Sequence, residues 1–525
     1  ASLIGRMRRA GLSADVKVLF GQPTLAALAA AVGGGREVAV PANGIAADCT
    51  RITPDMLTLL TLAQPAIDRL VATIPGGAAN VQDIYPLAPL QAGILYHHRA
   101  VQQGDAYLLQ AQFAFASVER LEAFAQALQA VIERHDILRS SMHWDGLEEP
   151  VQVVWRQASL QVEAIQLTGD VLEQLQARFH EHRLDLAQAP LMRLVYAEDP
   201  ANQRVVALLL FHHLVMDHVA LEVLQHEMQA CLLGRRDQLG AAVPYRNYVA
   251  QTRLGMREEE HEAFFREMLG EVDEPTPALN APGEAQQARL SVDPLLNGRL
   301  RSLARHLGVS AASLMHLAWA QVLGKVCGRE QVVFGTVLLG RLQGGEGAER
   351  ALGVFINTLP LRVDLGQRTV HAALMATHAS LTRLLSHEHA PLALAQRCSG
   401  LPANTPLFSV LFNYRHSAPH AGGVAEAWQG MQVLKAEERT NFALSLSVDD
   451  LGDGFSFDVM GQGAPRLCEY LHIALEQLVK ALEQNAGGAI SQLSILPAAE
   501  REKLRVEFNA TLREFPHEHT VQRLF

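Results

Sequence analysis

The chain has 525 residues, 49% hydrophobic and 19% charged, with a formal net charge of −11 and a pI of about 6.1. That is the composition of a folded protein too long for one core, with roughly two to four domains expected. The acidic balance argues against a nucleic-acid surface, and no apolar run approaches the roughly 18–20 residues that span a bilayer.

Residues 1–32 hold two helical segments, "SLIGRMRRAG" and "PTLAALAAAV", with Pro23 suited to a first turn. About thirty residues are too few to bury a core, so they read as the end of a domain that begins before Ala1. The basic "RMRR" leads into no apolar core, so no signal peptide is expected. Residues 33–80 form a Gly-rich linker followed by a helical lead-in opened by Thr53-Pro54-Asp55. Five scattered cysteines (Cys49, Cys231, Cys327, Cys398 and Cys468) show no CxxC pair. They suit a reducing cytoplasm and small core positions rather than a disulfide or zinc framework.

Residues 81–270 carry mixed elements. "VERLEAFAQALQAVIERH" (118–135) has the apolar spacing of a helix, while "LMRLVYA" and "RVVALLLF" read as a hairpin of buried strands. After Asp217, a good N-cap, the spacing predicts another helix. Residues 271–495 open on the polar, Pro-rich "EVDEPTPALNAPGEAQQ". A helix from Ser310 to Cys327, a strand "QVVFGTVLLG", and strands within 406–415 and 443–459 follow. Residues 496–525 turn charged and helical and read as a linker into a further domain. The expected fold class is α/β (α+β), in two lobes of similar size with a crevice between them as the natural site.

The stretch "FHHLVMDH" is the chemically informative one. His212 and His213 end a buried strand and Asp217 begins a helix, so a tight corner presents them to whatever lies above the strand. Histidine suits general acid–base work because its ordinary pKa, about 6.5, lies near working pH. A satisfied core histidine is an equally good reading, and a metal site a weaker one, since HxxxD offers only two ligands. There is no GxSxG elbow and no phosphate-binding loop. The chemistry expected is therefore one in which substrates bring their own nucleophile and leaving group.

"HHLVMDH" resembles the HHxxxDG signature of condensation domains of nonribosomal peptide synthetases. "YPLAPLQAGILYHH" (85–98), "RHDILRSSM" (134–142), "VVFGTVLLGR" (332–341) and "LGVFINTLPLRV" (352–363) resemble further motifs of that family, in its order. The resemblance implies a two-lobed V similar to chloramphenicol acetyltransferase, with a central tunnel. It implies peptidyl carrier domains upstream and downstream, each bearing phosphopantetheine, an adjacent adenylation domain, no metal, and no nucleic-acid or membrane partner. Residues 1–32 resemble the end of such a carrier. The resemblance also implies that His213 faces the thioester, as base or as positioning group, with His212 and Asp217 beside it. Asp217 is expected to pair with an arginine, for which Arg134, Arg139 and Arg341 are candidates.

This chain has His218 where the family has glycine. "HHRAVQQGD" (97–105) resembles the HH[IL]xxxxGD motif of the dual condensation/epimerization subclass, with Arg99 in place of the aliphatic residue. That resemblance implies inversion of the donor residue from L to D before the peptide bond forms. His97, His98, His218 and Glu222 are candidates for a second proton donor or for tunnel-lining roles. The rival readings are a plain condensation domain and an inactive relative that recruits a tailoring enzyme.

Overall fold

The computed structural model describes residues 38–277, 285–341, 347–348, 350–402, 404–416, 424–437, 440–484 and 487–512, with short pieces at 6–7, 10–12, 18, 24–32 and 520–524. Leu25–Ala30 forms one helical turn and a half, capped by Thr24; most of the first expected helix lies outside the described residues.

Strands in chain order are β1 (Val81–Pro86), β2 (Leu108–Phe115), β3 (Ser140–His143), β4 (Val151–Trp155), β5 (Gln161–Ala164), β6 (Met192–Asp199), β7 (Arg204–His212), β8 (Gln286–Ser291), β9 (Gln331–Leu338), β10 (Asn357–Asp364), β11 (Val410–His416), β12 (Met431–Glu437), β13 (Leu444–Asp450) and β14 (Phe455–Gly461). The first lobe holds a small sheet, β1-β4-β3, and a sheet of order β12-β2-β7-β6-β5; the second holds β10-β9-β11-β13-β14-β8. The expected hairpin is β6–β7, antiparallel from Met192 opposite Phe211 to Asp199 opposite Arg204.

Strand β7 explains its apolar run. It lies between β2 and β6, and both its faces are covered. Alternate residues point to opposite faces. Val205, Ala207, Leu209 and Phe211 enter the main first-lobe core, while Val206, Leu208 and Leu210 pack with Leu175 and Phe179 of the helix Val171–Phe179. Helices Val118–Arg134 and His218–Leu232 pack against each other. The second core is built round the helix Ala311–Cys327, which is capped by Ser310 and ended by Gly328 in the left-handed conformation. Its residues 313–324 are all buried, which is why its sequence is apolar all round. No single described helix is long and apolar enough to cross a membrane. Of the cysteines only Cys398 and Cys468 are buried; Cys49, Cys231 and Cys327 are half-exposed, a correction to the expectation that all fill cores.

The chain does not stay on either side of residue 270. The helix Glu258–Leu269 buries Phe264, Phe265 and Leu269 in the second core. In return, Ala348, Ala351, Leu352 and Phe355 enter the first core, and β12 joins the first lobe's sheet, antiparallel to β2. These exchanges tie the lobes together.

Candidate active site

Strand β7 ends at His212, and His213 lies in the turn beyond it, one residue later than its expected place at the strand end. The two histidines part company there. His212 is wholly buried within the first lobe and so does not face a crevice as expected, whereas His213 is half-buried. The His213 amide donates to the Tyr107 carbonyl at 2.9 Å, extending the β2–β7 ladder by one bond. The Tyr107 ring packs edge-on to the His213 ring, with centroids 6.3 Å apart. Among the described residues nothing hydrogen-bonds the His213 Nδ1, which is shielded from solvent. Nε2 is not enclosed in this way.

His212 is fully occupied. Its Nδ1 accepts from the Leu214 amide at 3.1 Å, so the neutral ring carries its proton on Nε2, which donates to the Asp105 carboxylate at 3.0 Å. Burial holds its pKa down, against the raising effect of Asp105. The same Asp105 oxygen accepts from His98 Nδ1 at 2.6 Å, and its other oxygen accepts from the Tyr107 amide at 2.9 Å. Burial alone would raise the Asp105 pKa; the bonds from His212 and His98 outweigh it and hold the carboxyl well below the usual range. His98, Asp105 and His212 lie close enough together to ligate an ion. The His212 proton argues for a hydrogen-bonded cluster instead: a cation at Nε2 would have to displace that proton while Nδ1 stays engaged.

Asp217 caps the helix His218–Leu232 by accepting from the Ala220 amide at 2.8 Å. It also accepts from the Phe355 amide at 2.9 Å and from Arg341 at 3.1 Å, both from the second half of the chain. Arg341 donates to the carbonyls of Ala348 and Ala351 and lies 4.0 Å over the Phe355 ring. Arg134 instead pairs with Glu227, which also accepts from His135, and Arg139 donates to the carbonyls of Ile132, Trp155 and Arg156. Burial would raise the Glu227 pKa, but His135 and Arg134 bring it down to about 2. The Asp217 junction is tightened by the Tyr245 and Tyr248 hydroxyls, which donate to the Val354 and Phe355 carbonyls at 2.6 and 2.8 Å. Two glycines permit this approach. A Cβ on Gly340 (φ +65°) would lie 1.7 Å from the Phe355 oxygen, and one on Gly353 (φ +144°) 2.3 Å from the Tyr245 ring.

The remaining candidates separate. His97 Nε2 accepts from Asn441 of the second half at 3.1 Å, and the Asn441 oxygen accepts from the Tyr107 hydroxyl at 2.9 Å. His97 therefore sits on a chain across the lobe junction, one ring beyond Tyr107, and burial lowers its pKa. His218 is exposed and pairs only loosely with Glu222, at 3.7 Å, one helical turn on. Arg99 lies 5.8 Å over the Trp144 ring, a contact that an aliphatic side chain would make without charge. Sequence reasoning missed Gln91, Tyr107 and Asn441. Gln91, buried in the opening motif, accepts from the Ala88 amide and donates to the Leu214 carbonyl at 2.8 Å, bracing the corner. Its signal was a Gln three residues after a helix start at Ala88-Pro89.

Residues 81–505 match the family model described as "Condensation domain", and the chain belongs to that family. It is 43% identical over 539 residues to malpinin synthetase of Mortierella alpina, covering 100% of this chain and 7% of that protein. Malpibaldin synthetase of the same organism is 43% identical over 540 residues, covering 100% of this chain and 10% of that protein. The chain thus spans a tenth or less of these relatives. Among solved structures, the X-domain from teicoplanin biosynthesis superposes with a TM-score of 0.62 at 18% identity, over 78% of this chain and 97% of that one. A four-domain nonribosomal peptide synthetase bound to AMP and glycine gives 0.63 at 18% identity, over 80% of this chain and 34% of that one. The mixed α/β fold is that of condensation domains.

Proposed function

We propose that this condensation domain joins a donor acyl group, held as a thioester on an upstream carrier, to the amine of an aminoacyl group on a downstream carrier. The amine nitrogen attacks the thioester carbonyl carbon, the C–N bond forms and the C–S bond breaks. The proton lost by the amine passes to the leaving thiolate, and His213 Nε2 is the group that holds or directs it. The observation that carries this reading is a ring whose Nδ1 is enclosed while the residue stays half-open, on a corner fixed from both lobes. Phosphopantetheine would reach the corner on the carriers, through the tunnel the family resemblance implies, and an adjacent adenylation domain would supply the acceptor.

The finer part of the proposal is inversion of the donor before condensation. A base at the same corner takes the Cα proton, the thioester carbonyl spreads the resulting charge, and a proton returns from the opposite face. "HHRAVQQGD" and His218 support it, and His97, whose ring lies beside Tyr107, is a candidate second donor. One observation favours plain condensation: His98, of the same motif, spends its Nδ1 on Asp105. Loading carriers with an L-aminoacyl donor and an aminoacyl acceptor, then determining product chirality by chromatography, decides between them. A D,L product supports inversion, an L,L product leaves condensation alone, and no dipeptide from any pair removes both.

A further inference from the structure

We propose that Asp105 is a positioning residue for His213, setting the catalytic corner by holding the groups on both sides of it. The inference rests on the reading that His213 acts on the substrates.

The geometry is a closed set of bonds. One Asp105 oxygen accepts from His212 Nε2 and His98 Nδ1, and the other from the Tyr107 amide. His212 immediately precedes His213, and its Nδ1 accepts from the Leu214 amide, just after His213. The Tyr107 carbonyl accepts the His213 amide itself, and the Tyr107 ring packs on the His213 ring. A single carboxylate therefore anchors the residue before His213, the amide after it by way of His212, and the strand to which its own amide is bonded. The loop that delivers Asp105 is held as well. Arg183 donates to the carbonyls of His98, Val101 and Gly104, so the residues from His98 to Asp105 close round one guanidinium.

A buried carboxylate with three donors and a fixed loop is costly to assemble, and no other described function uses it. It also places a fixed negative charge against His212, the residue next to His213. The assignment gives "HHRAVQQGD" a physical meaning separate from that of a second proton donor. Its last residue organises the base, so its loss is felt by any reaction that uses the base. His97, at the start of the motif, bonds to Asn441 of the second half rather than to this carboxylate.

The test uses the full chain with separate carriers, bearing whichever pair of proteinogenic aminoacyl groups the wild type joins fastest from a D donor. Asp105→Asn keeps the shape and the Tyr107 contact but removes the charge and turns an NH2 toward His212 and His98, so neither keeps its acceptor. It should lower kcat by about 10- to 100-fold, the scale of a small misplacement of a reacting group, with donor-carrier KM changed by less than about twofold. Cα proton exchange of an L donor, where the wild type shows it, should fall by the same factor. His98→Ala removes one of the three bonds from a half-buried position, and should lower kcat by about 3- to 10-fold with KM unchanged. It is the deciding variant if Asp105→Asn fails to fold by circular dichroism. Normal kcat in the folded variant overturns the proposal, as does a rise in KM alone or a loss of exchange with condensation intact. His213→Ala separates the two levels: if that variant turns over like wild type, the reading of His213 fails; if it is inactive and Asp105→Asn is not, only the role of Asp105 fails.

Discussion

Asp217 and Arg341, 124 residues apart in sequence, meet at 3.1 Å with both side chains almost wholly buried. The pair crosses from the helix that begins after the histidine corner to the segment following β9. It is satisfied on both sides: Asp217 also accepts two backbone amides, and Arg341 donates to two carbonyls. A buried ion pair contributes little net stability when intact, but removing one partner strands the other charge.

Asp217→Ala should therefore destabilise the domain by about 3–5 kcal/mol, since Arg341 would remain buried without its carboxylate. Denaturant unfolding followed by tryptophan fluorescence measures it. A midpoint equal to that of wild type would mean that the pair is not structural.

His213→Ala should leave the fold and thermal midpoint unchanged, because the ring is half-open and its Nδ1 has no described partner. Dipeptide formation on loaded carriers should fall by about 10²-fold or more, the range for losing a general acid–base group. Near-normal turnover would remove His213 from the chemistry.

Inversion makes a separate prediction. An L-aminoacyl donor should take up deuterium at Cα from heavy water with no acceptor present, since proton removal precedes amine attack, and His213→Ala should abolish that uptake. His97→Ala should reduce exchange more than it reduces condensation of a donor supplied in the D form. Mass spectrometry of the released donor reports the exchange and chromatography the dipeptide; no deuterium uptake with an all-L product leaves an ordinary condensation domain.

Stability should fall as the solution is acidified below neutrality. His316 is buried against Phe412 and hydrogen-bonded to the Ala312 carbonyl and the Thr336 hydroxyl, and burial pushes its pKa from 6.5 down to about 4. His389, beside Tyr248, is likewise pushed down to about 4. Between 6.5 and 4 the unfolded chain takes up protons that the folded one refuses, so stability is full above 6.5 and is lost on descending to 4. One such histidine accounts for about 1 kcal/mol by pH 5.5. Thermal midpoints at pH 7.5 and 5.5 should differ, and His316→Leu, whatever its absolute stability, should show a smaller difference. An equal drop in variant and wild type would refute the assignment.

What the sequence determined by itself was local. Apolar spacing placed the helices at 118–134 and 311–327 to within a residue, and Asp217 marked the start of the one at 218–232, because helix periodicity and end-capping depend on neighbours three and four positions away. The apolar run ending in two histidines marked the corner for the same reason. Tertiary structure alone decided the partners. Three arginines were equal candidates for Asp217, and only the fold brings Arg341 there, while Arg134 and Arg139 bind Glu227 and backbone carbonyls. It alone showed that β12 crosses into the first lobe and that Asp105 joins His98 to His212. It also separated His212 from His213, one locked within a lobe and one half-open. Such pairings depend on how distant segments pack, and a buried charge takes whichever partner packing delivers, which spacing along the chain does not encode.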